Sequence, residues 1–110
     1  MRQWMVDPKI LCDRHLLGEH VEHHMFLGHI KKRKSIKGYV EKNLLEPLSL
    51  IRRHDELVQE MLARGFNHKS NLDITREELE RLIDERYLHH KIDVRKSLEE
   101  LLKRCPECRR

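Results

Sequence analysis

The chain has 110 residues, 38% charged and 38% hydrophobic, with four glycines and three prolines, which makes one domain of helices with charged outer faces. Apolar runs of three or four residues are too short to cross a bilayer, and the start MRQWMVDPK lacks the apolar stretch of a signal peptide, so a membrane partner is excluded and a cytoplasmic or nucleoid protein is expected. A formal charge of +4 with nine histidines in reserve suits an acidic partner, and three cysteines without a secretion signal argue against a disulfide framework.

Residues 1–8 read as an extended arm, because Pro8 disfavours helix at Asp7. A helix is predicted from Lys9 to Leu27, with Leu16, Leu17, Val21, Met25 and Leu27 as its apolar side, interrupted by His20 and His24. At 100° per residue, His15, Glu19, Glu22 and Phe26 fall within roughly 60° of one another on the other side. Gly18, inside this helix, suggests close approach by another backbone. Between Gly28 and Gly38 the run KKRKSIK reads as a basic loop or frayed helix end.

Pro47 suits the first turn of a second helix whose stripe is Leu50, His54, Leu57, Val58, Met61 and Leu62, with Gly65 as its stop. Thr75 and Glu78 form a capping-box signature ahead of Leu79, Leu82 and Ile83. A last helix aligns Val94, Leu98, Leu101, Leu102 and Cys105 before Pro106 ends it. With no strand signal, the expected fold is an all-α, compact single-domain bundle of about four helices with an extended N-terminal arm, spanning residues 1–110.

Three stretches carry a family resemblance: MRQW followed by DRHLLGEHVEHHMF, then LGHIKK, then RRHDELVQEMLARGFNHKS. In order and spacing from the N-terminus they resemble the bacteriophage-type pyrimidine-dimer DNA glycosylases over about residues 1 to 70. The resemblance implies a DNA-repair glycosylase with AP-lyase activity, in which the α-amino group of the first residue is the nucleophile and a first-helix glutamate is essential. The matching positions are Met1 and Glu22, with Arg2 after the nucleophile and His15 seven residues before the glutamate. Arg2 is too bulky a second residue for methionine removal, so Met1 is expected to remain as the terminus and carry the amine, its side chain incidental.

The chemistry suits the residue types. An α-amino group titrates at about 7.7 to 8.0 and a lysine at about 10.4, so a chain terminus supplies far more free amine at neutral pH. Such an amine forms a Schiff base with the sugar of a damaged nucleotide, and β-elimination follows. A carboxylate at Glu22 can stabilise the developing sugar cation and relay protons. The expected DNA-binding residues are Arg2, Arg14, His15, Lys31, Lys32, Arg33, Lys34 and Lys69, with Trp4 as a stacking or wedge group ahead of Phe26 and Tyr39. The expected partner is double-stranded DNA containing a damaged base or abasic site, bound by a monomer; no cofactor and no metal are expected.

The chain departs from the family pattern where Val21 and Met25 replace arginines flanking the glutamate, and where CPECRR replaces an aromatic, basic tail. Two alternatives belong to other classes. A helical metal-binding protein would use His15, Glu19, Glu22 and His23 completed by His89 and His90, while Cys105-x-x-Cys108, a single CxxC, could hold zinc with Cys12 or a histidine. A non-catalytic DNA-binding module would need only the basic residues.

Overall fold

A computed structural model describes residues 1–68 and 71–109, and every regular element in them is helical. The helices are α1 (Asp13–Lys31), α2 (Lys37–Glu41), α3 (Leu50–Ala63), α4 (Arg76–Leu82), α5 (Glu85–Leu88) and α6 (Val94–Arg104), with single 3₁₀ turns at Pro8–Ile10 and Pro47–Ser49. The radius of gyration is 13.7 Å, against about 13 Å for a compact chain of this length.

Three of the four expected helices keep a predicted end for the predicted reason, α6 stopping at Arg104 ahead of Pro106. Gly65 stops the chain after α3 at φ +85°, a left-handed conformation that a side chain would strain. Thr75 and Glu78 cap α4 reciprocally, the Thr75 side chain accepting from the Glu78 N–H and the Glu78 carboxylate from the Thr75 N–H. The short α2 and α5 lie where no helix was predicted, one in the basic run's wake and one after Ile83.

The first helix needs correction in both position and facing. It starts at Asp13 rather than Lys9 because the Asp7 side chain caps a 3₁₀ turn over Pro8–Ile10, after which Leu11 turns extended and buries its side chain. It also runs on to Lys31, so the first basic residue is helical. Its buried residues are Leu16, Glu19, His20, His23, Phe26, Leu27 and Ile30, while Val21 and Met25, expected inside, are 54% and 50% exposed. Leu62 and Val94, also expected inside, are exposed as well. A Cβ at Gly18 would meet nothing within 4 Å, so no backbone approaches it.

The buried face keeps Leu16 and Leu27 as expected but is rotated away from Val21 and Met25, and that follows from how the core is built. One apolar cluster joins Phe26, Leu27 and Ile30 to Val40, Leu45, Leu50 and Leu79, and a second joins Trp4, Val6, Leu11 and Leu16 to Leu57, Met61, Leu101 and Cys105. Helices α1 and α3 cross both clusters in opposite directions. Between their apolar ends the two helices bury polar side chains: Glu19, His20 and His23 from α1, Arg53 and His54 from α3, with Gln3 of the arm beside them. A polar band inside a helical core has no apolar period to announce it. Glu19 and Arg53 make it tolerable by pairing, with bonds of 2.6 and 3.0 Å between guanidinium and carboxylate.

Candidate active site

The polar band is what holds the N-terminal arm. Gln3 is fully buried; its N–H donates to the Leu44 carbonyl at 2.8 Å, its side-chain oxygen accepts from the Glu46 N–H at 2.5 Å, and its side-chain nitrogen lies 3.1 Å from His23 Nε2. His23 Nδ1 is 2.8 Å from the Glu19 carbonyl, and burial drives the His23 pKa down to about 3, so the ring is neutral. Further along, Ser97 of α6 donates to the Trp4 carbonyl at 2.6 Å and Arg53 to the Val6 carbonyl at 2.6 Å. Met5, between them, sits at φ +58°, a left-handed conformation kept by the bonds on either side.

This tethering brings the chain's first residues against Glu22. The Arg2 backbone N–H donates to Glu22 Oε2 at 3.2 Å, and Met1, Arg2, Trp4, His15, Glu22 and Arg104 line one open cleft of about 360 Å³. Gly18 and Arg14 also border it, so the glycine widens the cleft rather than admitting a neighbouring backbone. The Met1 side chain packs on the cluster around Phe26.

The Arg2 side chain has its own fixed place. Its guanidinium lies 3.6 Å from the centroid of the Trp4 ring and donates to Ser97 Oγ at 3.1 Å. Burial, and then the charge of Arg104, lower the Arg2 pKa below its usual value. Trp4 itself is 5% exposed and forms part of the second core cluster, with the His15 ring edge-on to it at 5.7 Å. His15 Nδ1 lies 3.2 Å from Cys12 Sγ and 3.6 Å from Cys108 Sγ. Burial and the neighbouring Arg14 lower its pKa while Glu22 pulls the other way, leaving a neutral imidazole.

Other expected residues fall farther off. Lys31, Lys32, Arg33 and Lys34 are exposed at the far end of α1, with Lys31 roughly 14 Å along the axis from Glu22 at 1.5 Å per residue. Lys69 lies outside the described residues. Phe26 is fully buried, and Tyr39 stacks edge-on against it at 5.2 Å. The metal set His15, Glu19, Glu22 and His23 with His89 and His90 does not converge: Glu19 is consumed by Arg53 and His23 by Gln3, and His89 and His90 border a different cleft with Glu46 and Arg52.

Sequence reasoning missed Gln3, Arg53, Ser97 and Arg104. Gln3 and Arg53 lie in stretches that carry the resemblance but were given no role there, and each of the four acts across at least 20 residues of chain. The only signal was negative, namely a polar Gln and Arg in segments otherwise read as arm and helix face. Four other clefts, of about 290 to 400 Å³, are comparable in size, but their carboxylates are engaged: Glu46 accepts from the Ile92 N–H at 2.8 Å, Asp84 from Arg86 at 2.7 Å, Glu78 from the Thr75 N–H at 3.2 Å and Glu100 from Arg104 at 2.5 Å.

The cleft at the chain start thus combines one half-buried carboxylate, the first residue of the chain and three arginines, a combination suited to an anionic substrate. No helix among the described residues is long and apolar enough to cross a membrane. Neither a curated protein nor a solved structure matches the chain significantly. The family model described as pyrimidine dimer DNA glycosylase matches residues 1–74, which include the arm, all of α1 and all of α3, and the chain therefore belongs to the pyrimidine dimer DNA glycosylase family.

Proposed function

We propose that this chain is a bifunctional DNA glycosylase and AP lyase, with the α-amino group of Met1 as nucleophile and Glu22 as its carboxylate, acting on double-stranded DNA that carries a damaged base or an abasic site. The observation that carries this reading is the 3.2 Å bond from the Arg2 N–H to Glu22, which ties the residue after the terminus to the one carboxylate of the cleft, among the described residues, that is not held by an arginine side chain.

In the proposed reaction the free amine attacks C1′ of the damaged nucleotide. The N–C1′ bond forms as the glycosidic bond breaks, its electron pair leaving with the base. Loss of the amine proton and ring opening give an imine, which acidifies C2′. Glu22 takes a C2′ proton, and the C3′–O bond breaks with its electron pair going to the 3′ phosphate. Hydrolysis of the imine then returns the amine. Arg14, exposed at the cleft edge, and Arg104 are suited to the flanking phosphates; Arg104 is shared with Glu100 at 2.5 Å, so Arg14 is the freer cation. A substrate base must leave the stack to present C1′. Val21 and Met25, exposed on either side of Glu22 in sequence, offer apolar contact to a distorted duplex where the family pattern has arginines.

Borohydride reduction during incubation with abasic-site DNA tests this reading. A covalent adduct is expected, mass spectrometry should place it on the N-terminal peptide, and acetylation of the terminus should abolish it. Absence of an adduct, or an adduct on a lysine, overturns the assignment. A non-catalytic DNA-binding module would bind the same DNA and give none.

A further inference from the structure

We propose that Cys12, His15, Cys105 and Cys108 form a tetrahedral zinc site that clamps the end of α6 to the start of α1 behind the cleft. Their four donor atoms lie within 4.8 Å of one another. Zinc with Zn–S of about 2.3 Å and Zn–N of about 2.0 Å requires S···S edges of about 3.8 Å and S···N edges of about 3.5 Å. The structure has Cys12 Sγ 3.9 Å from Cys105 Sγ, and His15 Nδ1 3.2 and 3.6 Å from the sulfurs of Cys12 and Cys108.

The chain around these donors is shaped for the purpose. Cys12 is the residue before the first turn of α1, yet its side chain makes no cap bond and turns toward the other sulfurs, while His15 follows one turn later on the same face. Pro106 ends α6, and a turn closed by the Arg109 N–H on the Pro106 carbonyl folds Cys108 back beside Cys105. A backbone N–H serves one of the sulfurs: that of Cys12 donates to Cys108 Sγ at 3.3 Å. Such bonds stabilise thiolates held by a metal. Binding releases the thiol protons and leaves a site of charge −1, with His15 linking it to the Trp4 ring that carries Arg2.

A separate observation assigns a second metal site, for a divalent first-row ion, to His20, His24, His54 and His68. Their donor atoms also lie within 4.8 Å of one another, and Nε2 of His20, His54 and His68 is buried without a hydrogen-bond partner. A metal–nitrogen bond of about 2.0 Å, plus roughly 1.1 Å from nitrogen to ring centre, sets tetrahedral imidazole centroids about 5.1 Å apart. The measured pairs are 5.1 Å (His20–His24), 4.8 Å (His20–His54), 5.0 Å (His20–His68), 5.1 Å (His24–His54) and 5.2 Å (His54–His68). Four rings arranged about a common centre, each held by a helix or the loop after α3, explain buried nitrogens that otherwise cost folding energy.

The full chain, freed of metal with a chelator, loaded with a slight excess of zinc and dialysed against metal-free buffer, should retain two equivalents by elemental analysis. X-ray absorption of that protein should fit three sulfurs and five nitrogens over the two ions, the sum of the two donor sets. Cobalt in place of zinc should give the near-ultraviolet thiolate-to-cobalt band. C105S/C108S should keep one equivalent and lose that band, and His20→Ala/His68→Asn should keep one equivalent and retain it. A zinc shell without sulfur overturns the cysteine site. A single equivalent with three sulfurs per zinc overturns the histidine site. Both readings come from the wild-type chain, so a variant that fails to fold leaves neither proposal undecided.

Discussion

Replacing Arg53 by alanine should be the most damaging single change in the interior. Arg53 is 1% exposed and gives its guanidinium to Glu19 at 2.6 and 3.0 Å and to the Val6 carbonyl at 2.6 Å. Its loss strands a buried carboxylate, at a cost of about 3–5 kcal/mol, and burial already raises the Glu19 pKa against the pull of Arg53, so protonation is the escape. A domain of this size has only about 5–15 kcal/mol in total. With an unfolding entropy of about 2.1 cal/mol/K per residue, the loss lowers Tm by roughly 13–22 °C. The double variant Glu19→Leu/Arg53→Met removes both buried charges, leaving the buried Val6 carbonyl unserved and the exposed Glu56 to water, so it should lie within about 1–3 kcal/mol of wild type. Urea and thermal unfolding of the wild type, the Glu19→Leu and Arg53→Met singles and their double close the cycle, with Arg53→Ala measured beside it. An Arg53→Ala loss under about 1 kcal/mol, or a double variant equal to the sum of its singles, refutes the reasoning.

On the proposed chemistry, Glu22→Gln should reduce single-turnover cleavage of abasic-site DNA by at least about 100-fold and leave the Kd for that DNA within a few-fold; equal losses in both would make Glu22 a binding residue only. Arg14→Ala should weaken DNA binding and reduce the slope of log K against log salt by about 1, with Arg104→Ala doing less because Glu100 shares that charge; an unchanged slope for Arg14→Ala removes it from the interface. Thr75→Ala breaks the α4 capping box and should cost about 1 kcal/mol in urea unfolding with no change in the adduct yield.

How legible the molecule was in its sequence depended on the range of the interaction. Signals confined to a few residues, such as the Thr75–Glu78 box, Gly65 and the Pro47 turn, located their structures because the physics they encode is local. The facing of α1 was not local. Val21 and Met25 were assigned inside by counting apolar residues, but what decides the facing is Arg53, 34 positions from Glu19, which makes a carboxylate the better residue to bury. Of the site, Met1 and Glu22 came from the family resemblance, and they do line one cleft. Of the metal-binding alternatives, the set of α1 histidines and carboxylates with His89 and His90 does not come together, whereas Cys105 and Cys108 do meet Cys12 and a histidine, His15; the four-histidine set drawn from α1, α3 and the loop after α3 is the grouping that only the fold reveals.

A chain terminus is an awkward place for a nucleophile, since the first residues of most domains are the least ordered. Holding one still requires bonds to groups that water cannot reach, and a purely apolar core has none to give. Here the band of Glu19, His23 and Arg53 supplies them, directly to Val6 through Arg53 and through His23 to Gln3, while Ser97 adds a third hold on Trp4. The polar layer that breaks the apolar pattern of α1 is therefore the same layer that fixes the arm. On the proposed mechanism, the stability penalty of burying charge between the two apolar clusters is the condition for an ordered arm that starts in the cleft lined by Glu22, and the segment least readable as a helix face is the one that builds the site.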